Sequence, residues 1–369
     1  MFNIKKQISR LYLSSIVGNL SLTGAWVALL AARGFSLVQI GLAETVFHIV
    51  SLIFEIPSGV LADVFGRKKM LMVSCCMCFI GNLLMIFSGS FFMVCLSIAF
   101  QALNYNFSSG SGDALAYDSM KYAGVESGYE KYESNQMIIY RICGGLSTLC
   151  AGLALTIGYR LAYGSDLILC GIQMGILISL KEIRVDQKKE DAQSTNMFRA
   201  IAGELAKCLK ESLIFLKEGR KALALMFSNS LVGAFDILLL FFLQARLPEV
   251  GIPGWALGPA LFFMELGGVV GSKLILKCKN VRYRTIFLAT AAMVVTGTLL
   301  EHTGMYLIMA LGGFLSAVGD DALQVRSNAI LQDMFPSDQR ATLISFESFT
   351  FSVVMIVLSP LAGFFFSFW

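Results

Sequence analysis

Charge is scarce in this chain of 369 residues: Asp, Glu, Lys and Arg together make up 15%, where soluble domains carry about 25%. An ordinary soluble domain is excluded on that ground. Histidine is scarcer still, with only His48 and His302, so no His-rich metal cluster can be assembled. The nine cysteines, Cys75, Cys76 and Cys78 among them, stand mostly inside apolar runs and show no paired spacing on a loop. They read as small apolar residues rather than a disulfide framework. A nucleotide-binding loop and a Ser/His/Asp arrangement are both missing, so neither an enzyme nor a resident cofactor or metal is expected. The net charge of +4 is too small to indicate a nucleic-acid partner.

Apolar length is abundant. Hydrophobic residues make up 56% of the chain and the mean hydropathy is +0.71. The 29 Phe and 34 Gly suit helices packed in lipid, where small residues let backbones approach. Runs long enough to cross a ~30 Å hydrocarbon core fall at roughly 10–32, 37–62, 70–89, 91–120, 134–158 and 160–182, then at roughly 221–246, 254–276, 284–301, 304–334 and 340–369. The first run follows Lys5 and Lys6 as a secretion signal does, but it contains Asn19 and Trp26 and offers no clear small-x-small cleavage site. It reads as a membrane helix.

The expected organisation is a six-helix bundle at 1–182, a basic linker at 183–220 with an amphipathic helix at the membrane surface, and a bundle of five helices at 221–369. Placing the N-terminus in the cytoplasm puts Lys5, Lys6, Arg10, the Arg67–Lys68–Lys69 loop, Lys121, Lys131, the linker, Lys277, Lys279, Arg282, Arg284 and Arg340 inside. Only Arg33, Arg160 and Arg246 are left outside. That asymmetry sets the topology of a multi-pass protein of the cell membrane.

Two weak internal matches support a duplicated chain. Gly112-Asp-Ala-Leu115 recurs as Asp320-Asp-Ala-Leu323, and Ser58–Ala62 lines up with Gly267–Gly271. The two offsets agree to one residue, as a transporter built from repeated halves requires. The same offset places a counterpart of the sixth helix beyond Trp369, so a twelfth helix is expected to be missing.

Pro57-Ser-Gly-Val-Leu-Ala-Asp-Val-Phe-Gly-Arg-Lys-Lys69 resembles the major facilitator loop motif G-x-L-x-D-x-x-G-R-K/R, with Gly59, Leu61, Asp63, Gly66, Arg67 and Lys68 matching. Gly59 permits close packing and Gly66 a tight turn. Phe335–Thr342 is similar to the junction of helices 10 and 11 in bacterial, drug-exporter-like members. The resemblance implies an all-α major facilitator fold of two pseudo-symmetric bundles, about eleven helices here, that rock about a central cavity. It also implies a conformational gate in which Asp63 and Arg67 join Asp118. Three departures stand out: there is no proline-containing antiporter signature in the fifth helix, Ser272 replaces the motif Asp in the second half, and the twelfth helix is expected to be missing.

Ionisable residues at membrane depth are costly and mark functional positions. Glu44, His48 and Glu55 share one face of the second helix, within about 40°, and Glu55 lies about 12 Å from its cytoplasmic end. Asp113 and Arg141 are equidistant from Ser127, which predicts an ion pair between antiparallel helices, with Glu55 as the less compensated, titratable acid. Asp236, Glu265, Asp320, Asp321 and Glu347 add acids in the second half, against Lys273 and Arg326. Asn104, Asn106, Gln136 and Asn229 supply hydrogen-bonding groups for a solute. The expected function is secondary transport of a small organic molecule by alternating access, coupled to protons and directed outward. The other reading is a membrane sensor or scaffold that retains the fold without transporting.

Overall fold

A computed structural model describes residues 2–183, 203, 219–278, 280–334 and 340–367. The linker and its expected amphipathic helix fall almost wholly outside the described residues, as do residues 335–339 of the second resembling segment. The described residues are helical almost throughout. In chain order the helices are α1 (Ile4–Asn19), α2 (Trp26–Ala32), α3 (Leu37–Phe65), α4 (Arg67–Phe87), α5 (Phe91–Ser108), α6 (Ser111–Tyr122), α7 (Tyr129–Leu149), α8 (Ala151–Ile157), α9 (Tyr159–Ser179), α10 (Arg220–Glu249), α11 (Gly254–Leu274), α12 (Tyr283–Glu301), α13 (Tyr306–Met334) and α14 (Arg340–Ser367).

Among the described residues nine spans are long and apolar enough to cross a membrane, or ten if α7 and α8, bent by 47° at Cys150, count as one. The structure divides two runs that the hydropathy pattern left whole. The run at 10–32 separates into α1 and α2 around Leu20–Ala25, and the run at 91–120 separates into α5 and α6 around Ser109–Gly110. Backbone conformation explains the second break. Gly110 takes φ +70°, a left-handed conformation that favours glycine, and the helix restarts at Ser111.

The chain forms two compact units. The first comprises residues 1–24, 49–147 and 159–209. Its core gathers Leu11, Cys75, Leu115, Ala116, Met120, Tyr132, Cys170 and Leu177, and Tyr132 stacks between Tyr12 and Tyr129. Helices α4 and α5 meet closely because Gly81 carries no side chain: a Cβ there would lie 3.1 Å from the Ser97 carbonyl oxygen. The Ser97 hydroxyl in turn donates to the Gly81 carbonyl at 2.8 Å, an interhelical bond that closes where backbones approach.

The second unit comprises residues 25–48, 148–158 and 210–369. Leu238, Leu239, Phe242, Leu243, Leu247, Leu257, Met264, Met309 and Met355 form its core, with Ala25, Ala28 and Ala151 packed among them. Helices α11 and α13 are in backbone contact along Gly267 and Gly271, where an added Cβ would fall 2.2 Å from the carbonyl oxygens of Phe314 and Val318. This is the segment that the internal match aligned with Ser58–Ala62.

Candidate functional site

Within the first unit, the break between α5 and α6 opens onto a polar cavity of about 400 Å³. The sequence Ser108-Ser-Gly-Ser-Gly112 builds the break from residues whose hydroxyls satisfy the interrupted backbone. Ser108 Oγ donates to the Tyr105 carbonyl at 2.9 Å and Ser111 Oγ to the Phe107 carbonyl at 2.9 Å. Asp113 stands in the first turn of α6, where the helix dipole offsets part of the cost of placing a carboxylate. Around it the cavity is walled by Ser14, Ser15 and Asn19 of α1, Ser74 and Cys78 of α4, Asn104, Tyr105 and Ser108 of α5, Tyr132 and Gln136 of α7, and Gln173 of α9. Leu11, Leu71 and Leu177 supply the apolar part.

Several of these groups are already oriented. Ser74 Oγ donates to both the carbonyl and the side-chain oxygen of Asn104, at 2.9 and 2.7 Å. Gln136 Nε2 donates to the Tyr132 hydroxyl at 2.5 Å. Gln173 Nε2 donates to the Ser14 carbonyl at 3.3 Å. At one wall Cys78 lies 3.4 Å from Cys170, sulfur to sulfur. Asn104, Asp113 and Gln136 therefore line one cavity. Asn106 does not join them, because it is 3% exposed and bonded to Ser51 on both its oxygen and its nitrogen, at 2.8 and 2.6 Å.

The expected Asp113–Arg141 ion pair does not form. Arg141 is exposed, and the charged side chain that acts on Asp113 is Glu133. Equal chain distance from Ser127 constrains depth but leaves the helix face open, and α7 turns Arg141 away. The acids of α3 also separate. Glu44 and His48, both buried, are joined at 3.2 Å in the second unit, where His48 Nδ1 faces Ser352 Oγ at 3.4 Å. Glu55 belongs to the first unit, where its charge acts on the cavity residue Tyr105.

At the loop end of the first unit, Arg67 Nη1 pairs with Asp118 and also donates to the Ala114 carbonyl at 2.9 Å. Gly66 precedes α4 at φ +105°, the tight turn expected of it. Gly59 is different: nothing lies within 4 Å of a Cβ built there, so it mediates no close packing. The side chain of Asp63 lies outside the described residues. Lys68 Nζ donates to the carbonyls of Ile178 and Leu180 at 2.8 and 2.7 Å. Glu182, which the sequence did not single out, receives the backbone N–H groups of Arg67 and Lys68 on its two carboxylate oxygens at 3.0 Å each. It caps α4 from across the chain.

In the second unit Asp236 is 4% exposed and its Oδ1 is buried without a hydrogen-bond partner. The charges of Asp320 and Asp321 act on it. Gly233, one turn before it, leaves room for Asp320, whose Oδ1 would lie 3.1 Å from an added Cβ. The Ser316 hydroxyl, fully buried, faces Asp236 without closing a hydrogen bond. Glu265 accepts from Thr148 Oγ1 at 2.9 Å.

Long apolar helices packed beside a polar cavity are the build of a multi-pass membrane protein. Residues 11–304 match the sequence model of the Major Facilitator Superfamily, and the chain belongs to that family of membrane transporters. It is 24% identical over 337 residues to the uncharacterized MFS-type transporter YxaM of Bacillus subtilis (strain 168), covering 88% of this chain and 79% of that one. Its fold is similar to that of the nucleoside transporter NupG, with TM-score 0.75 at 14% identity over 98% of this chain and 90% of that one. The D-xylose-proton symporter is also similar, with TM-score 0.66 at 12% identity over 96% and 89%.

Proposed function

We propose that this protein is a proton-coupled secondary transporter whose solute docks in the cavity of the first unit. The observation that carries the reading is the break between α5 and α6, beside which Asp113 and a wall of hydroxyl and amide groups line one cavity. Interrupted helices at membrane depth are tolerated where they line such a cavity. The bundles at 1–182 and 221–369 alternate their access to the two sides, with the N-terminus cytoplasmic. The Arg67–Asp118 pair steadies one of the two states.

Support for proton coupling comes from Asp236 and Asp320. Two neighbouring carboxylates in a low-dielectric interior cannot both carry charge cheaply, and a bound proton relieves them. The helices packed against them carry Glu265 and Lys273 on α11, Arg284 and Glu301 on α12, and Glu347 on α14, with Asp321 and Arg326 on α13 itself. Arg326 donates to the Cys278 carbonyl, and Glu347 accepts from Asn229 at 3.3 Å. Among the described residues no ion pair reaches Asp236 or Asp320. The proton is assigned here rather than to Glu55 because Asp236 is enclosed with one carboxyl oxygen unbonded.

Purified protein in liposomes loaded with a pH-sensitive dye tests the reading. Solute added on one side is expected to move protons, with the sign of the pH change giving uptake or export. Solute movement indifferent to an imposed pH gradient would remove the coupling.

A further inference from the structure

We infer that the cavity selects a small hydrophilic solute bearing one positive charge, a primary amine on a hydroxyl-rich skeleton being the type. The inference rests on the proposed reading of the cavity as the solute site and goes on to name what fits it.

Three observations converge. First, Asp113 is the one charged side chain among the lining residues, and no Lys, Arg or His stands beside it there. The charge acting on it from outside the lining is another carboxylate, Glu133, so the electrostatic field in the cavity is negative and an anionic solute is disfavoured. Among the described residues Asp113 has no ion-pair partner. A half-buried carboxylate in that position is stabilised by an incoming cation.

Second, about half of the wall is polar. Small-molecule sites are ordinarily lined mainly by apolar and aromatic side chains, whereas here Asn104, Gln136, Gln173 and several serines alternate donors with acceptors. A lipophilic cation entering this space strips water from those groups and returns no hydrogen bonds, which costs affinity at each unpaired group. A solute rich in hydroxyls replaces that water bond for bond. A lipophilic, drug-like solute fits this wall poorly.

Third, the volume of about 400 Å³ falls at the lower end of the ~300–1,000 Å³ range of small-molecule sites, which suits a small solute.

The test is equilibrium binding, not transport, on the full-length purified protein. Matched triads are titrated by calorimetry: glucosamine, glucose and glucuronate; glucamine, glucitol and gluconate; ethanolamine, ethylene glycol and glycolate. Tetraphenylphosphonium represents lipophilic cations. The amine of at least one triad is expected to bind about tenfold or more tightly than its neutral partner, since a charge-assisted hydrogen bond is at stake, and the acid is not expected to bind. Asp113→Asn should bring the amine-to-neutral ratio close to one. Asp113→Glu, which keeps the charge, should retain the preference and shows that loss in the Asn variant is not misfolding. Equal binding of amine and neutral partners, a preference unchanged in Asp113→Asn, tighter binding of tetraphenylphosphonium, or no binding of any amine each overturns the inference. Charge-selective binding without transport leaves it standing and counts instead against the proposed function.

Discussion

Arg67 grips α6 at two points one turn apart, the carboxylate of Asp118 and the carbonyl of Ala114. The guanidinium is pre-organised for such forked contacts, and both side chains are largely shielded, at 25% and 15% exposed. Ala114 adjoins the cavity residue Asp113, so the pair joins the loop after α3 to the helix that presents the cavity's carboxylate. We predict that Asp118→Asn lowers stability by about 1.5–3 kcal/mol, the worth of a charged hydrogen bond, read as a drop in thermal midpoint. It should also shift the reactivity of cysteines introduced at the loop end. Unchanged midpoint and reactivity would remove the gate.

Glu182 makes a second prediction at the same junction. It satisfies the first two N–H groups of α4, so Glu182→Ala should destabilise by about 0.5–2 kcal/mol, as the loss of a helix cap does. Glu182→Gln, which keeps an acceptor oxygen, should recover part of that. Thermal unfolding of the two variants side by side checks it.

Helix contact in the second unit depends on the absence of side chains. Gly267→Ala would place a methyl against the Phe314 carbonyl and should destabilise by about 1–3 kcal/mol through overpacking. Gly171→Ala in α9 meets nothing within 4 Å and should be neutral or stabilising by up to about 1 kcal/mol, the helix-propensity gain. Equal effects at the two sites would refute the close-packing account.

If Asp236 carries the coupling proton, Asp236→Asn should abolish solute-driven pH change while solute exchange across equilibrated liposomes persists. Loss of both, with normal folding, would make Asp236 structural instead.

Much of the fold was legible because hydropathy and loop charge report on solvent, and lipid constrains backbone more severely than water does. The turn at Gly66 was legible in the loop motif, whereas the pairing of Arg67 with Asp118, 51 residues away, was expected only through the resemblance to the family. The division of the fourth run was written in Ser108-Ser-Gly-Ser-Gly112, a cluster of helix breakers inside an apolar stretch, but length masked it. Arg141 misled because residue counting constrains depth without fixing which face a side chain takes. Glu182 left no signal at all: its partners are more than a hundred residues away, and only the packing of α9 against α4 brings them together. Asp236 and Asp320 stood out as charged residues in apolar helices, yet their proximity depends on Gly233, whose role emerges only with the helices in place.

The most direct test of the account is solute-driven proton flux in proteoliposomes, comparing wild type with Asp113→Asn for whichever amine binds. The account predicts a pH change in wild type that is lost in the variant. A wild-type protein that binds the amine in its cavity but moves neither solute nor protons would contradict it.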